Sequence, residues 1–394
     1  MNLAKVPAIR TPSPIQKLLQ TGDAWWNYYE EHQDIIRDSV LSNIVKILSC
    51  GQLITGCKNY ACINLDCQHT KKVPLSCKSR FCPTCGKVAT DKWVEKQKAI
   101  LPDTDYQHIT FTMPMEFWGL FSENRDLLER IAKQAADTIK RMAKKKGINV
   151  AVFTAIHTFG HDLKWNIHIH LSVTMGGLSN DNTQWKKIRF SKKAIMPMWR
   201  YNVVTMLREA AKAGEIIISN AALDAQYQKN WIVHFSKPTS NAWHTISYLG
   251  RYLNRPPLSQ SRLLHYDGKT VSFKFLNRQT NKYETKTMDT EEFLTKFTQH
   301  IPDNGFRAIR YYGILANCVR GKLLPIVYKL LNQIIPPVFN VRWASLFKRS
   351  FGENPLECIL CGSKMVCTGM TFGLAHRELL QHHQALATRQ IINF

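Results

Sequence analysis

Between residues 57 and 85 the chain crowds six of its eleven cysteines and a histidine into one segment: Cys57-x4-Cys62-x4-Cys67-x-His69, then Cys77-x4-Cys82-x2-Cys85-Gly86. Seven soft donors in so short a span are hard to explain as thiols buried one at a time, and they call for a metal. Zinc takes four such donors in a tetrahedron, and a Cys-x2-Cys turn closed by glycine supplies two at once. Cys82 and Cys85 therefore form the best half-site, with Cys62 and Cys67 as the expected other half. Cys57, Cys77 or His69 could replace a member of that set, and the group could nearly fill two sites. A second Cys-x2-Cys, Cys358 and Cys361 with Cys367 and His376 nearby, is either another half-site or simple packing.

The charge balance names the class of partner. Lys and Arg number 53 against 29 Asp and Glu, a net charge of +24, on a chain that is 44% hydrophobic. That is a globular composition with a surplus too large for one local patch, and a polyanion such as nucleic acid fits it. The opening MNLAKVPAIR lacks the apolar run of a secretory signal. The longest apolar stretch, residues 323–339, is interrupted by Lys329, Asn332, Gln333 and three prolines, which argues against a membrane span. An odd number of cysteines without a secretion signal argues against a disulfide scaffold, so a reducing cytoplasm is the expected compartment.

Hydrophobic periodicity predicts helix over residues 11–50, then the cysteine-rich segment, a short helix, and a strand over 106–113 ending at Pro114. An amphipathic helix follows over 120–146, closed by Lys144-Lys145-Lys146 and Gly147. Residues 150–157 and 166–173 read as strands around a polar turn at Gly160-His161-Asp162. Beyond them come a helix over 190–213, a strand over 231–236, a helix over 241–253, a small β meander over 263–288 and a mostly helical remainder. The order β-α-β-β-α-β-α in the middle third predicts an α+β fold with an antiparallel sheet.

Within that fold, His168-Ile169-His170 places two imidazoles on one face of a strand, a two-ligand clip that needs a third donor. If the two strands form a hairpin about Asp162-Leu163, paired residues sum to 325 and His157 faces His168. A one-residue slip would bring up His161 or Asp162 instead. Tyr248 and Tyr252, four apart on a predicted helix, offer two phenols to one point in space. A phenol with a pKa of about 10 is a poor nucleophile unaided, so a divalent cation and nearby Arg251 and Arg255 would have to activate it. Lys144, Lys145 and Lys146 are further cations for a DNA path.

These motifs together resemble the rolling-circle transposases of the insertion sequence ninety-one type, within the HUH endonuclease superfamily. The carrying stretches are Ser76-Cys77-Lys78-Ser79-Arg80-Phe81-Cys82-Pro83-Thr84-Cys85, Phe111-Thr112-Met113-Pro114, His157-Thr158-Phe159-Gly160, Asn166-Ile167-His168-Ile169-His170, Tyr248-Leu249-Gly250-Arg251-Tyr252 and Phe306-Arg307-Ala308-Ile309-Arg310-Tyr311-Tyr312-Gly313. Two features depart from the family pattern: the gap in Cys62-x4-Cys67 is wide, and Phe81 stands where histidine is common.

The resemblance implies a helical, zinc-binding, DNA-recognising domain over 1–95, an HUH nuclease core (an antiparallel sheet flanked by helices) over 100–290, and a mostly helical region over 291–394 carrying the last Cys-x2-Cys. It implies that Tyr248 or Tyr252 attacks single-stranded DNA to give a 5′-phosphotyrosine, with Mg²⁺ or Mn²⁺ on His168, His170 and His157 and structural Zn²⁺ on the cysteines. No nucleotide cofactor and no membrane are expected, and the place of work is the cytoplasmic nucleoid of a prokaryote. A plasmid or phage replication initiator would use the same chemistry on other DNA. A non-catalytic zinc-dependent DNA-binding protein would explain the charge and the cysteines but leave the histidines and tyrosines idle. A carboxylate-based transposase is disfavoured, because the 29 acidic residues show no two-metal pattern.

Overall fold

The computed structural model describes residues 12–250, 256–277, 280–335, 337 and 342–384, with the backbone alone at 248 and 249. The strands among the described residues form three antiparallel sheets. β1 (Gly56–Cys62) and β2 (Thr70–Pro74) form a hairpin near the start of the chain. The large central sheet takes β3 (Tyr106–Thr112), β4 (Ile148–Phe159), β5 (Trp165–Ser179), β6 (Trp185–Lys187) and β7 (Val233–Phe235). The expected meander is β8 (Leu263–Tyr266), β9 (Thr270–Asn277) and β10 (Lys282–Asp289). The last two strands are β11 (Ile309–Gly313) and β12 (Met365–Phe372).

The central sheet runs β11-β4-β5-β3-β7, with β6 paired to β5. The two-residue alternation of its strands decides what covers each face. Ile167, Ile169, Leu171 and Val173 of β5 join Ile109, Phe111, Val150 and Val152 in a core with the helices Leu127–Lys144 and Lys192–Lys212. The opposite face carries Tyr106, Ala151, Phe153, Ala155 and Leu178 under the helices Ala242–Gly250 and Arg320–Leu330. These two helices cover only part of that face. Its other end, where His157, His168 and His170 lie, opens onto a cleft of ≈ 1280 Å³.

The N-terminal helical expectation resolves into three helices, Pro14–Gln20, Ala24–His32 and Asp38–Leu48. A positive φ of 62° at Gly22 breaks the first from the second. Their apolar faces (Ile15, Leu18, Trp25, Ile44 and Leu48) pack with Val271 and Phe273 of β9 and with the helix Thr290–Thr298.

The region over 291–394 is less helical than expected. β11 pairs with β4 at the edge of the central sheet, and β12 pairs with β1 to give the sheet order β12-β1-β2. The β11–β4 pairing crosses the expected division at 290, and the β12–β1 pairing crosses that division and the one at 95–100. No helix among the described residues is long and apolar enough to cross a membrane.

Candidate active site and metal centres

The hairpin of β4 and β5 sets the imidazole cluster. Its pairs sum to 325 from Val152–Val173 to His157–His168, so His157 stands directly opposite His168 and Ala155 opposite His170. The tip between the strands turns through Leu163, whose backbone is left-handed (φ 65°) and whose side chain is fully buried in the N-terminal core. Burying that side chain fixes where the turn lies, and hence which residues face one another. Ligand nitrogens of His157, His168 and His170 lie within 4.8 Å of one another. His157 and His170 are each 6% exposed, and His168 is half-buried beside the cleft.

Neighbouring groups orient two of the rings. His168 Nδ1 lies 3.0 Å from the Asn166 carbonyl oxygen, which can only accept, so Nδ1 carries the hydrogen and Nε2 the lone pair. His170 Nδ1 lies 3.1 Å from His108 Nε2, and His108 Nδ1 lies 3.2 Å from Ser172 Oγ. Burial pushes His108 down to about 4, so it is neutral near pH 7 and exchanges a hydrogen bond with His170 rather than repelling it as a cation. Such outer partners hold ligating imidazoles in one tautomer and direction. Sequence reasoning missed His108, which is buried behind His170, and it missed Thr110, Thr112 and His234, which line the cleft across β3 and β7. The signal available was parity: residues 108, 110 and 112 share a face of a predicted strand.

Lys87, Lys164, Arg262 and Lys286 bring positive charge to the cleft wall, against Asp162 and Glu284. Arg262 is anchored by donating to the Lys274 carbonyl (2.6 Å) and to the His161 carbonyl. Tyr248 lies on the helix Ala242–Gly250, which packs against the helix Pro83–Lys98 and β3; its side chain, and all of Arg251, Tyr252 and Arg255, lie outside the described residues. Lys144, Lys145 and Lys146 are exposed just before β4, at the end away from His157. At about 3.3 Å per residue that separation is about 30 Å, and they do not line the cleft.

The cysteines divide differently from the expected set. Cys82 and Cys85 meet Cys50 and Cys77, whereas Cys62 and Cys67 meet Cys358 and Cys361. Cys57 belongs to neither group; it is buried in β1 with its sulfur 3.7 Å from Asn59 Oδ1. In the first group Cys50 Sγ lies 3.4 Å from Cys82 Sγ and 3.6 Å from Cys85 Sγ, and Ser76 Oγ donates to Cys85 Sγ at 3.3 Å. Zn–S bonds of about 2.3 Å in a tetrahedron put sulfurs about 3.8 Å apart, close to these spacings. Cys50, Cys77 and Cys82 are buried within the N-terminal core. Cys50 was missed because it precedes the dense segment. Its signal was the following glycine: Cys50-Gly51 repeats the pattern of Cys85-Gly86 and Cys361-Gly362.

Residues 151–322 match a family model described as a putative transposase, and residues 21–113 match one described as a transposase zinc-binding domain. The chain is 38% identical to the transposase for insertion sequence element IS801 of Pseudomonas savastanoi pv. phaseolicola, over 97% of this chain and 96% of that protein. It is 28% identical to the putative transposase y4qJ of Sinorhizobium fredii (strain NBRC 101917 / NGR234), over 77% of this chain and 82% of that one. No solved structure matches.

Proposed function

The chain belongs to the IS91-type insertion sequence transposases with an N-terminal zinc-binding domain, and from that premise we propose that it nicks and rejoins single-stranded DNA through tyrosine, on an HUH-type core, during rolling-circle transposition. The observation that carries this reading is the convergence of His157, His168 and His170 at the open end of the central sheet. Three imidazoles, two of them held by outer hydrogen-bond partners, suit a divalent cation of the Mn²⁺ or Mg²⁺ kind, Mn²⁺ being the better match for nitrogen donors. Bound there, such a cation would supply Lewis-acid polarisation of a phosphodiester.

The chain's own residues do the rest. The cationic wall of Lys87, Arg262 and Lys286 attracts and aligns the backbone of an unpaired strand. A phenol oxygen of Tyr248 or Tyr252 gives up its proton and forms a bond to phosphorus as the 3′ oxygen leaves and takes up a proton, giving a 5′-phosphotyrosine and a free 3′-hydroxyl. Attack by a 3′-hydroxyl on that ester reverses the exchange, so joining needs no nucleotide cofactor. Support for the tyrosines comes from chain placement: Tyr248 is on a helix packed against the sheet, and Pro256, four residues after Tyr252, lines the cleft. We assign structural zinc to Cys50, Cys77, Cys82 and Cys85, which fall within the stretch matching the zinc-binding domain.

The test is a single-stranded oligonucleotide carrying the element's own end, incubated with protein and Mn²⁺, followed by mass spectrometry of the peptide left on DNA. A nucleotide adduct on Tyr248 or Tyr252 is expected, and its loss in the double Tyr248→Phe, Tyr252→Phe variant. An adduct persisting in that variant, or cleavage with no adduct in the wild type, would overturn the assignment.

A further inference from the structure

The second cysteine group has no assigned role, and half of it lies beyond both stretches that match family models. We propose that Cys62, Cys67, Cys358 and Cys361 hold a second structural zinc, which staples β12 to the β1–β2 hairpin and so fastens the late part of the chain to its beginning. Cys62 Sγ lies 3.5 Å from Cys361 Sγ, and Cys67 Sγ lies 3.7 Å from Cys358 Sγ, across 299 and 291 residues of sequence. Those spacings are far beyond the ~2.05 Å of a disulfide and match the edges of a tetrathiolate zinc tetrahedron.

The backbone around the sulfurs is shaped for the same purpose. Cys62 ends β1 and Cys67 lies in the turn toward β2. Cys358 and Cys361 occupy the turn leading into β12, which closes through Cys358 N–H to the Ser363 carbonyl (2.8 Å) and Gly362 N–H to the Cys358 carbonyl (2.8 Å). That turn needs a positive φ at the residue after the second cysteine, and Gly362 supplies it at 71°. Two turns at one end of one sheet thus bring two thiolates each. His69 Nδ1, 3.1 Å from Cys358 Sγ, is placed to donate to that thiolate as an outer partner.

Burial argues that something other than apolar packing holds this sheet. Its core consists of Tyr60, Cys358 and Met365, with Cys62, Cys67, Val73 and Leu356 partly buried beside them. After Met365 the residues of β12 through Phe372 are exposed. A core this small adds little to the packing of Leu374 and Leu379, which follow β12, on the N-terminal core, and a metal at the Cys358–Cys361 turn would fasten the end of the strand that this packing does not reach. The pairing is nevertheless built to a close fit: a Cβ on Gly373 would meet Gly56 N at 2.1 Å. This inference does not depend on the tyrosine chemistry.

The test is alkylation of the full chain by iodoacetamide under a phosphine reductant, read by peptide mass spectrometry together with zinc content. Cys361 and Cys367 are both exposed. Cys361 is expected to react at least about tenfold more slowly than Cys367, and to become reactive together with Cys62, Cys67 and Cys358 once a chelator withdraws zinc. The Cys358→Ser, Cys361→Ser variant is expected to carry one zinc fewer than the wild type while Cys82 and Cys85 stay protected. Reaction of Cys361 at the rate of Cys367, an unchanged zinc count in the variant, or iron in place of zinc would each overturn the proposal. Because the wild-type footprint is decisive alone, a variant that fails to fold does not rescue it.

Discussion

In the imidazole cluster every ligand arrives on a strand; His168 and His170 have paired strands on both sides, and His157 is paired to His168. In the cysteine clusters the ligands sit in turns and at the ends of elements, and the groups they must meet lie up to 299 residues away. The sheet therefore shapes the first site with or without a metal. With zinc bound as proposed, the thiolate sites would tie together elements that are distant in the chain. On that reading one region uses a scaffold to organise ligands and the other uses ligands to organise a scaffold, and substitutions should separate the two cleanly.

The largest effect should come from His168→Ala. It removes a half-buried ring from a sheet face whose register the opposite, apolar face maintains, so strand cleavage is expected to fall about 10³-fold or more while the thermal midpoint moves by only about 2 °C. Single-turnover cleavage assays and calorimetry measure the two. A large drop in melting temperature would show that the imidazole site is metal-built after all.

Cys82→Ser should do the reverse. Cys82 is 1% exposed in the N-terminal core, and losing its sulfur is expected to lower unfolding free energy by at least about 4 kcal/mol in urea titrations, with covalent DNA labelling per folded molecule nearly unchanged. Equal losses of stability and labelling would erase the contrast.

A smaller effect sharpens the comparison at the point where the regions touch. His300 is buried, accepts from Thr158 Oγ1 (3.1 Å) and donates Nε2–H to the carbonyl of Leu163 at the hairpin tip (3.0 Å). Burial pushes its pKa down to about 3 from an ordinary 6.5. The unfolded chain therefore takes up the proton first, so stability is complete above about pH 6.5 and declines as the pH falls toward 3. By pH 4 the loss from this group is about 3 kcal/mol. Acid also weakens thiolate sites, so the informative measurement is the difference: urea midpoints of His300→Asn should change less between pH 7 and pH 4 than those of the wild type. Identical pH slopes would remove His300 from the account.

The same contrast explains what could be read from the sequence. The β4–β5 hairpin was legible because alternation is local: Ile167, Ile169 and Leu171 mark one face, and the register that buries them leaves His157 opposite His168. The His-x-His pair and the meander at β8–β10 follow from the same rule. The partition of the cysteines was not legible, because spacing along the chain says nothing about partners some three hundred residues away. Cys62-x4-Cys67 and Cys82-x2-Cys85 look like two halves of one site only while Cys358-x2-Cys361 is considered alone. β11 and β12 were hidden for a related reason: each completes a sheet whose other members come much earlier, and the alternating apolar residues Val366, Met370 and Phe372 of β12 stay exposed instead of marking a core.

The pairing of β12 with β1 also sets a schedule for biosynthesis. β1 ends at residue 62 and its outer partner begins at residue 365, so at about 5–20 residues per second a ribosome needs roughly 15 to 60 s to deliver the missing strand. Throughout that interval the nascent hairpin has an open edge and two unpartnered thiols. A message interrupted anywhere before Cys358 yields a polypeptide in which that edge can never be closed.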